Sequence, residues 1–298
     1  RAYMSMLSSD SNVDYLPSHA RSHTYLKNLE SSYPFHPELI NILRTKTSSI
    51  PNFNKTRGVL RLLSKVLRSV WNGKRDVYLI HPYAVDMRRQ ELVEEIVSKL
   101  DRGEMQAAIA ADISNETDAP RASKVDQLYS EPLGTMICNV IFLHSITGAR
   151  VSDTTFGVSE PEIHLSLARP GFDLKKSEDA LKALERNCFY LVQQGTNYAF
   201  TSEPNLNKLI EATKESVEQT RVYAEIYDRV RSMFSSKRFF SPVFFANQPS
   251  EVSDDTEKPK LVIMDFRDCS MKAKGSKWPA EVTNIYEKAG SVGSPRIF

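Results

Sequence analysis

Gly58-Val59-Leu60-Arg61 sets a guanidinium three positions after a residue with no side chain, and Arg57 precedes that glycine. At 100° per residue, Val59, Leu60, Leu62, Leu63, Val66, Leu67, Val70 and Trp71 share one broad half of a helix. Arg57, Arg61, Lys65 and Arg68 share the other half. Asn54 or Thr56 is placed to supply the N-cap oxygen. A glycine inside a helix costs about 1 kcal/mol against alanine. Its presence points to close approach of another backbone or of a ligand. The orphan N–H groups of a helix start add positive potential to the two arginines. Two readings follow: a solvated basic face on a packed helix, or an anion-facing surface made by Arg57, Gly58 and Arg61.

Other chemistry-bearing residues give less. The sequence contains no GxxxxGKS/T phosphate loop, GxGxxG, HExxH or GxSxG. Asp265 ends the apolar run "VIMDF", where a metal-holding carboxylate can sit, but with no phosphate loop nearby it reads as an ordinary strand-end aspartate. Glu94 and Glu95 read as water-facing on an amphipathic helix. His36, between Pro34 and Pro37, reads as a structural histidine or cap. Cys138, Cys188 and Cys269 are scattered and odd in number, giving neither a disulfide framework nor a zinc spacing, which suits a reducing cytoplasm.

The elements that must position these residues fall into three regions. Residues 1–130 read as a mostly helical bundle, with helices over 23–32, from Pro37, within 52–71, over 88–100 and over 104–113, and an extended piece at "DVYLIHP". Residues 131–235 begin with three helices: 133–146, 159–168 with Pro161 near its first turn, and 176–187 capped by Ser177. A hairpin, "CFYLVQQGTNYAFTS", follows directly. Three helices and a two-stranded ribbon predict a winged helix, from which one long helix, 204–234, departs. Residues 236–298 predict two strands and a helix, the beginning of an α/β domain. The fold class expected is therefore mainly α with a winged-helix (α+β) domain. The start at Arg1 without methionine and the end at "SPRIF" lead to the expectation of a fragment, or of segments missing from the numbering.

Charge sorts the partners. The whole chain carries 39 Lys+Arg and 37 Asp+Glu, a net +2, so net charge alone implies neither nucleic acid nor a membrane. Between Arg44 and Arg102, however, 13 basic residues face 6 acidic ones, so the basic surface gathers around the arginine helix. The third helix of the winged region carries Glu178, Asp179 and Glu185 against Lys182 and Arg186. The wing tip, Gln193, Gln194, Gly195, Thr196 and Asn197, is polar and uncharged. Lys182, Arg186, Gln193, Gln194 and Asn197 are the residues a nucleic acid would meet, and the local charge balance predicts weak binding. No apolar run reaches the length of a membrane span, and no signal peptide is visible.

Gly58-Val59-Leu60-Arg61 resembles the GxxR pattern of the sensor-2 helix in AAA+ ATPases. "YPFHPELINIL", "NFNKTRGVLRLLSKVLRSVW" and "NYAFTSEPNLNKLI" together resemble a prokaryotic family of large predicted AAA+ ATPases, some of them found in anti-phage defence gene clusters. The likeness spans roughly residues 25–215. It implies that the first region is a helical AAA+-type lid, that a winged helix follows, and that Arg61 is a sensor-2-like arginine with Arg57 beside it. It also implies ATP with Mg, bound mainly by a nucleotide-binding domain upstream of this chain. The phosphate loop, Walker B carboxylates and arginine finger of such an enzyme are not in this sequence, so the chain is not expected to hydrolyse ATP alone. The expected function is that of a lid and winged-helix portion that senses ATP and couples it to a protein partner or nucleic acid in the cytoplasm. The alternatives are a non-enzymatic winged-helix DNA-binding regulator and a protein-interaction module.

Overall fold

The computed structural model describes residues 2–46, 55–73, 77–98, 103–115, 119–146, 156–236, 238–253, 258–267 and 278–288. The protein is mainly helical, with two small sheets. It divides into two compact units, Arg1–Lys214 and Glu215–Phe298.

In the first unit, α1 (Ala2–Leu7), α2 (His23–Ser31), α3 (Pro37–Lys46) and α4 (Lys55–Asn72) come first. Ser22 caps α2 by accepting the Tyr25 N–H at 3.2 Å. Of the expected extended piece "DVYLIHP", Asp76 lies outside the described residues, Tyr78 and Leu79 bend, Ile80 alone bridges in parallel to Phe35, and Pro82 opens a 3-10 turn through Ala84. α5 (Gln90–Val93) runs on into a π-helical turn at Glu94–Ser98, and α6 (Gln106–Ala108) into another at Ile109–Ile113. α7 (Arg121–Asp126) leads to α8 (Leu133–Ser145), in which every residue is buried. An all-round apolar helix of this kind belongs at the centre of a domain.

After α8 come β1 (Val158–Ser159), α9 (Glu160–Leu167), α10 (Leu174–Asn187), β2 (Leu191–Gln194) and β3 (Asn197–Phe200). The strands form an antiparallel sheet in the order β1-β3-β2, with Val158 opposite Tyr198 and Leu191 opposite Phe200. Glu162 accepts both the N–H and the hydroxyl of Ser159 at the start of α9. The hairpin has the two-residue turn Gly195-Thr196, and Gly195 supplies the positive φ (61°) its first position needs. One hydrophobic core runs from Leu39 in α3 through α4, α5, α7 and α8 to Phe200 in β3.

Two sequence expectations change here. α10 begins a turn before Ser177: Asp173 is its cap, accepting the Lys175 N–H at 3.0 Å, and Leu174 is buried. Ser177 lies inside the helix, where its hydroxyl bonds the Leu174 carbonyl at 2.6 Å. The expected single helix over 204–234 is two, α11 (Leu206–Ser216) and α12 (Gln219–Met233), broken where Glu218 is extended. Neither helix buries a residue fully, so no packed face enforces continuity across the break.

In the second unit, β4 (Ser241–Phe244) and β5 (Lys260–Ile263) pair in parallel, Ser241 opposite Lys260, and α13 (Ala280–Lys288) follows. Tyr227 and Arg267 both bond the Asp265 carboxylate, at 2.6 Å and 2.7 Å, and the Arg267 hydrogen bonds hold it well below the usual carboxylate range. Asp265 is thus the anchor of its own strand end, in keeping with its reading as a structural aspartate.

Candidate functional site: the arginine face of α4

α4 is as amphipathic as its sequence demands, but its apolar half is divided. Leu62 and Val66 are buried, and Val59, Leu63 and Val70 pack partly against the same core. Leu60, Leu67 and Trp71 are 61%, 44% and 82% exposed. Their spacing, i, i+7 and i+11, lines them along one stripe of the helix. A helical wheel counts apolar residues and cannot say which of them a neighbour will cover.

Arg57 and Arg61 are exposed beside this stripe, and Gly58 is buried. Gly58, Arg61 and Lys65 stand at i, i+3 and i+7, so they share a face, the one turned to α5 and its π turn. There the Arg61 Nε donates to Glu95 Oε1 at 2.5 Å, and the Lys65 ammonium donates to Glu95 Oε2 at 2.9 Å. Lys65 also donates to the Glu91 carbonyl at 3.1 Å. The Glu95 side chain is only 2% exposed while that of Arg61 is 45% exposed. Glu95 therefore does not face water, contrary to its sequence reading, whereas Glu94 does. A carboxylate can be buried here because two cations from α4 reach it. The periodicity of α5 alone contains no sign of those partners. The two terminal nitrogens of Arg61 make no hydrogen bond to a described residue, and they are the pair that grips a phosphate end-on.

The nucleic-acid candidates lie elsewhere in the same unit. Lys182 and Arg186 are on the exposed side of α10, with Lys182 paired to Glu178 at 2.5 Å. Gln193 and Gln194 are exposed on β2, and Asn197 donates to the Phe156 carbonyl at 3.1 Å. The earlier start of α10 adds Lys175 beside Lys176 on its exposed side, so the helix carries four basic residues against three acidic ones.

One feature was missed from sequence altogether. A cleft of about 530 Å³ is lined by Tyr3, His81, Tyr83, Glu131, Asn139 and Arg169, among others. His81 is buried, stacked on His36 at 4.5 Å and on Tyr83 at 5.0 Å. Its Nδ1–H donates to the Ser166 carbonyl at 3.0 Å, and its Nε2 accepts the Tyr3 hydroxyl at 2.8 Å. Burial pushes its pKa down to about 4. Arg169 pairs with Glu131 and lies 4.2 Å over the Phe172 ring. With both ring nitrogens bonded and the arginine paired, the cleft is a braced wall and His81 a strut. His36 is likewise buried, accepting the Glu38 N–H at 3.3 Å, so it is structural as its sequence setting suggested.

Among the described residues, no group of three or more His, Cys, Asp or Glu is placed to hold a metal, and no helix is long and apolar enough to cross a membrane. The fold and site thus define a mainly helical protein with a basic helix face built over a buried carboxylate. The chain belongs to the DUF499 family: the model of the DUF499 second domain matches residues 14–178, more than half of it. No curated protein and no solved structure matches the chain.

Proposed function

We propose that this chain is the lid and winged-helix portion of an AAA+ ATPase, and that Arg61 reads the terminal phosphate of ATP bound by a domain upstream. The observation that carries this reading is the pairing of an open arginine with an uncovered apolar stripe. Nε of Arg61 is tied down, its terminal nitrogens make no hydrogen bond to a described residue, and Leu60, Leu67 and Trp71 lie exposed on the adjoining side of α4. An upstream nucleotide-binding domain, seated on that stripe, would bring the phosphates to Arg61, with Arg57 adding positive potential. Gly58, buried at the start of α4, would let a neighbouring backbone or ligand approach closely.

The chemistry of the donor set fits this role. α4 offers guanidinium and helix-start N–H groups, which suit phosphate oxygens. It offers no free carboxylate for Mg, so the metal and most of the ATP contacts belong to the other domain. ATP supplies the transferable phosphoryl group. The contribution of this chain is a positive charge held where negative charge gathers during phosphoryl transfer. The run α8, β1, α9, α10, β2, β3, with its β1-β3-β2 sheet, supports a winged helix as the module that passes the nucleotide state to a partner. A place in phage defence rests on the sequence resemblance.

The test is Arg61→Ala in the polypeptide that joins this chain to its nucleotide-binding domain. ATP hydrolysis should fall at least tenfold at a temperature where the variant, destabilised by the loss of one partner of buried Glu95, is still fully folded. Unaltered hydrolysis would remove the proposed role of Arg61. A second reading, a DNA-binding module, is favoured by the four basic residues of α10, because the N-terminal part of such a helix is what enters a major groove.

A further inference from the structure

Resting on the phosphate-reading role of Arg61, we infer that Glu95 is its positioning residue and Lys65 the charge that keeps Glu95 from repelling the anion. A guanidinium has two edges that can grip an oxyanion, the Nε side and the pair of terminal nitrogens. Glu95 takes the Nε side. It thereby fixes the direction of a long side chain that is otherwise free to swing in solvent, and it leaves only the terminal pair for a phosphate.

A bare carboxylate behind Arg61 would cancel its charge. The structure avoids this, because Lys65 neutralises the second oxygen of Glu95. The three side chains sum to one positive charge, presented at the exposed end of Arg61. The Glu95 side chain is nearly fully buried, so it cannot reach out to compete for solvent cations. Its place is within the π-helical turn Glu94–Ser98. Turns of this kind are uncommon and gather at functional sites. Arg61 and Lys65 of α4 both pair with this one carboxylate.

The experiment measures ATP affinity in the polypeptide carrying the nucleotide-binding domain, for Glu95→Gln, Glu95→Asp, Lys65→Met, Arg61→Ala and the double variant Arg61→Ala with Glu95→Gln. Glu95→Gln and Lys65→Met should each weaken ATP binding on the order of tenfold, by loosening Arg61 or removing net charge. Glu95→Asp should recover part of the loss. In the Arg61→Ala background, Glu95→Gln should add nothing, since it acts only through Arg61. A merely structural glutamate would weaken both backgrounds alike, and that result overturns the inference. So does a Glu95→Gln protein that folds and binds ATP as the parent does while Arg61→Ala is impaired. If Arg61→Ala itself changes nothing, the phosphate-reading role fails first and the inference with it. Should Glu95→Gln fail to fold, the Arg61 Nε–H resonance of the unaltered protein decides. A downfield, slowly exchanging signal that persists as ATP saturates the protein is expected, and its loss on ATP binding would show Glu95 released.

Discussion

The carboxylate of Asp112 accepts the backbone N–H of Phe189 at 2.9 Å, and its other oxygen accepts that of Tyr190 at 2.7 Å. Asp112 is fully buried in the π turn after α6, and those two amides open the β2–β3 ribbon. One acid thus ties the helical layers to the ribbon. Burial raises its pKa from 3.8 to about 6, against the lowering by the two amides and by Lys208 and Arg121. A raised folded-state pKa means that the favourable contribution is full below about 3.8 and is lost as pH rises through about 6. The size is at most about 3 kcal/mol.

His81 and His164 work in the opposite sense. Burial lowers both from 6.5 to about 4, and His164 bonds the Ser177 hydroxyl through Nδ1 at 2.7 Å. Their contribution is full above about 6.5 and is lost as pH falls through about 4, roughly 3 kcal/mol each. His36, buried beside His81, is lowered too. Urea unfolding at pH 7, 5.5 and 4 should therefore show a net loss of stability on acidification. Asp112→Asn should make that loss steeper, because the compensating gain disappears. A flat profile in the parent protein would contradict the neutral, buried state of these histidines.

Much of this fold was legible in the sequence. The all-buried α8, the ribbon and its Gly195 turn, and the amphipathic α4 follow from periodicity and turn chemistry. What was not legible depends on partners far away in the chain. Glu95 reads as exposed until α4 is laid beside it, and the cap of α10 at Asp173 is displaced from Ser177 because Leu174 finds a place in the core. The Tyr3–His81 contact joins residues 78 positions apart. The two scattered cysteines, Cys138 and Cys188, prove to be buried neighbours, and burial with that contact raises the Cys138 thiol. In the arginine site, Arg57, Gly58 and Arg61 stand out from spacing. The carboxylate that holds Arg61, Glu95, does not.

Gly157 is the tightest point of the small sheet. Its φ is +82°, and an added Cβ would lie 2.4 Å from the Tyr198 carbonyl oxygen. Gly157→Ala should cost about 1–3 kcal/mol or more, since strained backbone and steric conflict add. Thermal unfolding would register this. An unchanged midpoint would mean that β1 does not sit against β3 as described.

The exposed basic side of α10 gives the nucleic-acid reading a sharp test. If α10 meets DNA, the double change Lys175→Glu with Lys176→Glu should reduce duplex binding more than tenfold at low salt and lower the salt slope by about 2. Replacing Gln193 and Gln194 should alter binding less, for they carry no charge. Equal binding by the parent and the charge-reversed protein would discard that reading.

If a nucleotide-binding domain seats on α4 as proposed, the exposed stripe should behave as a covered surface in the polypeptide that carries both. Leu67→Asp should lower the unfolding free energy of this chain by no more than about 1 kcal/mol, since Leu67 is 44% exposed. In the polypeptide with the nucleotide-binding domain, the same change should impair ATP hydrolysis, and, with every other tryptophan, Trp278 included, replaced by Phe, Trp71 fluorescence should shift to the blue when ATP is added. A red, unresponsive Trp71 would mean that nothing closes over the stripe.

The central claim is that Arg61 distinguishes ATP from ADP. The direct measurement is the ratio of ADP to ATP dissociation constants for the polypeptide carrying both domains, with Arg61 and with Arg61→Ala. Loss of the arginine should weaken ATP about 10- to 100-fold, leave ADP nearly unchanged and bring the ratio close to one. An identical ratio in the two proteins would contradict the claim.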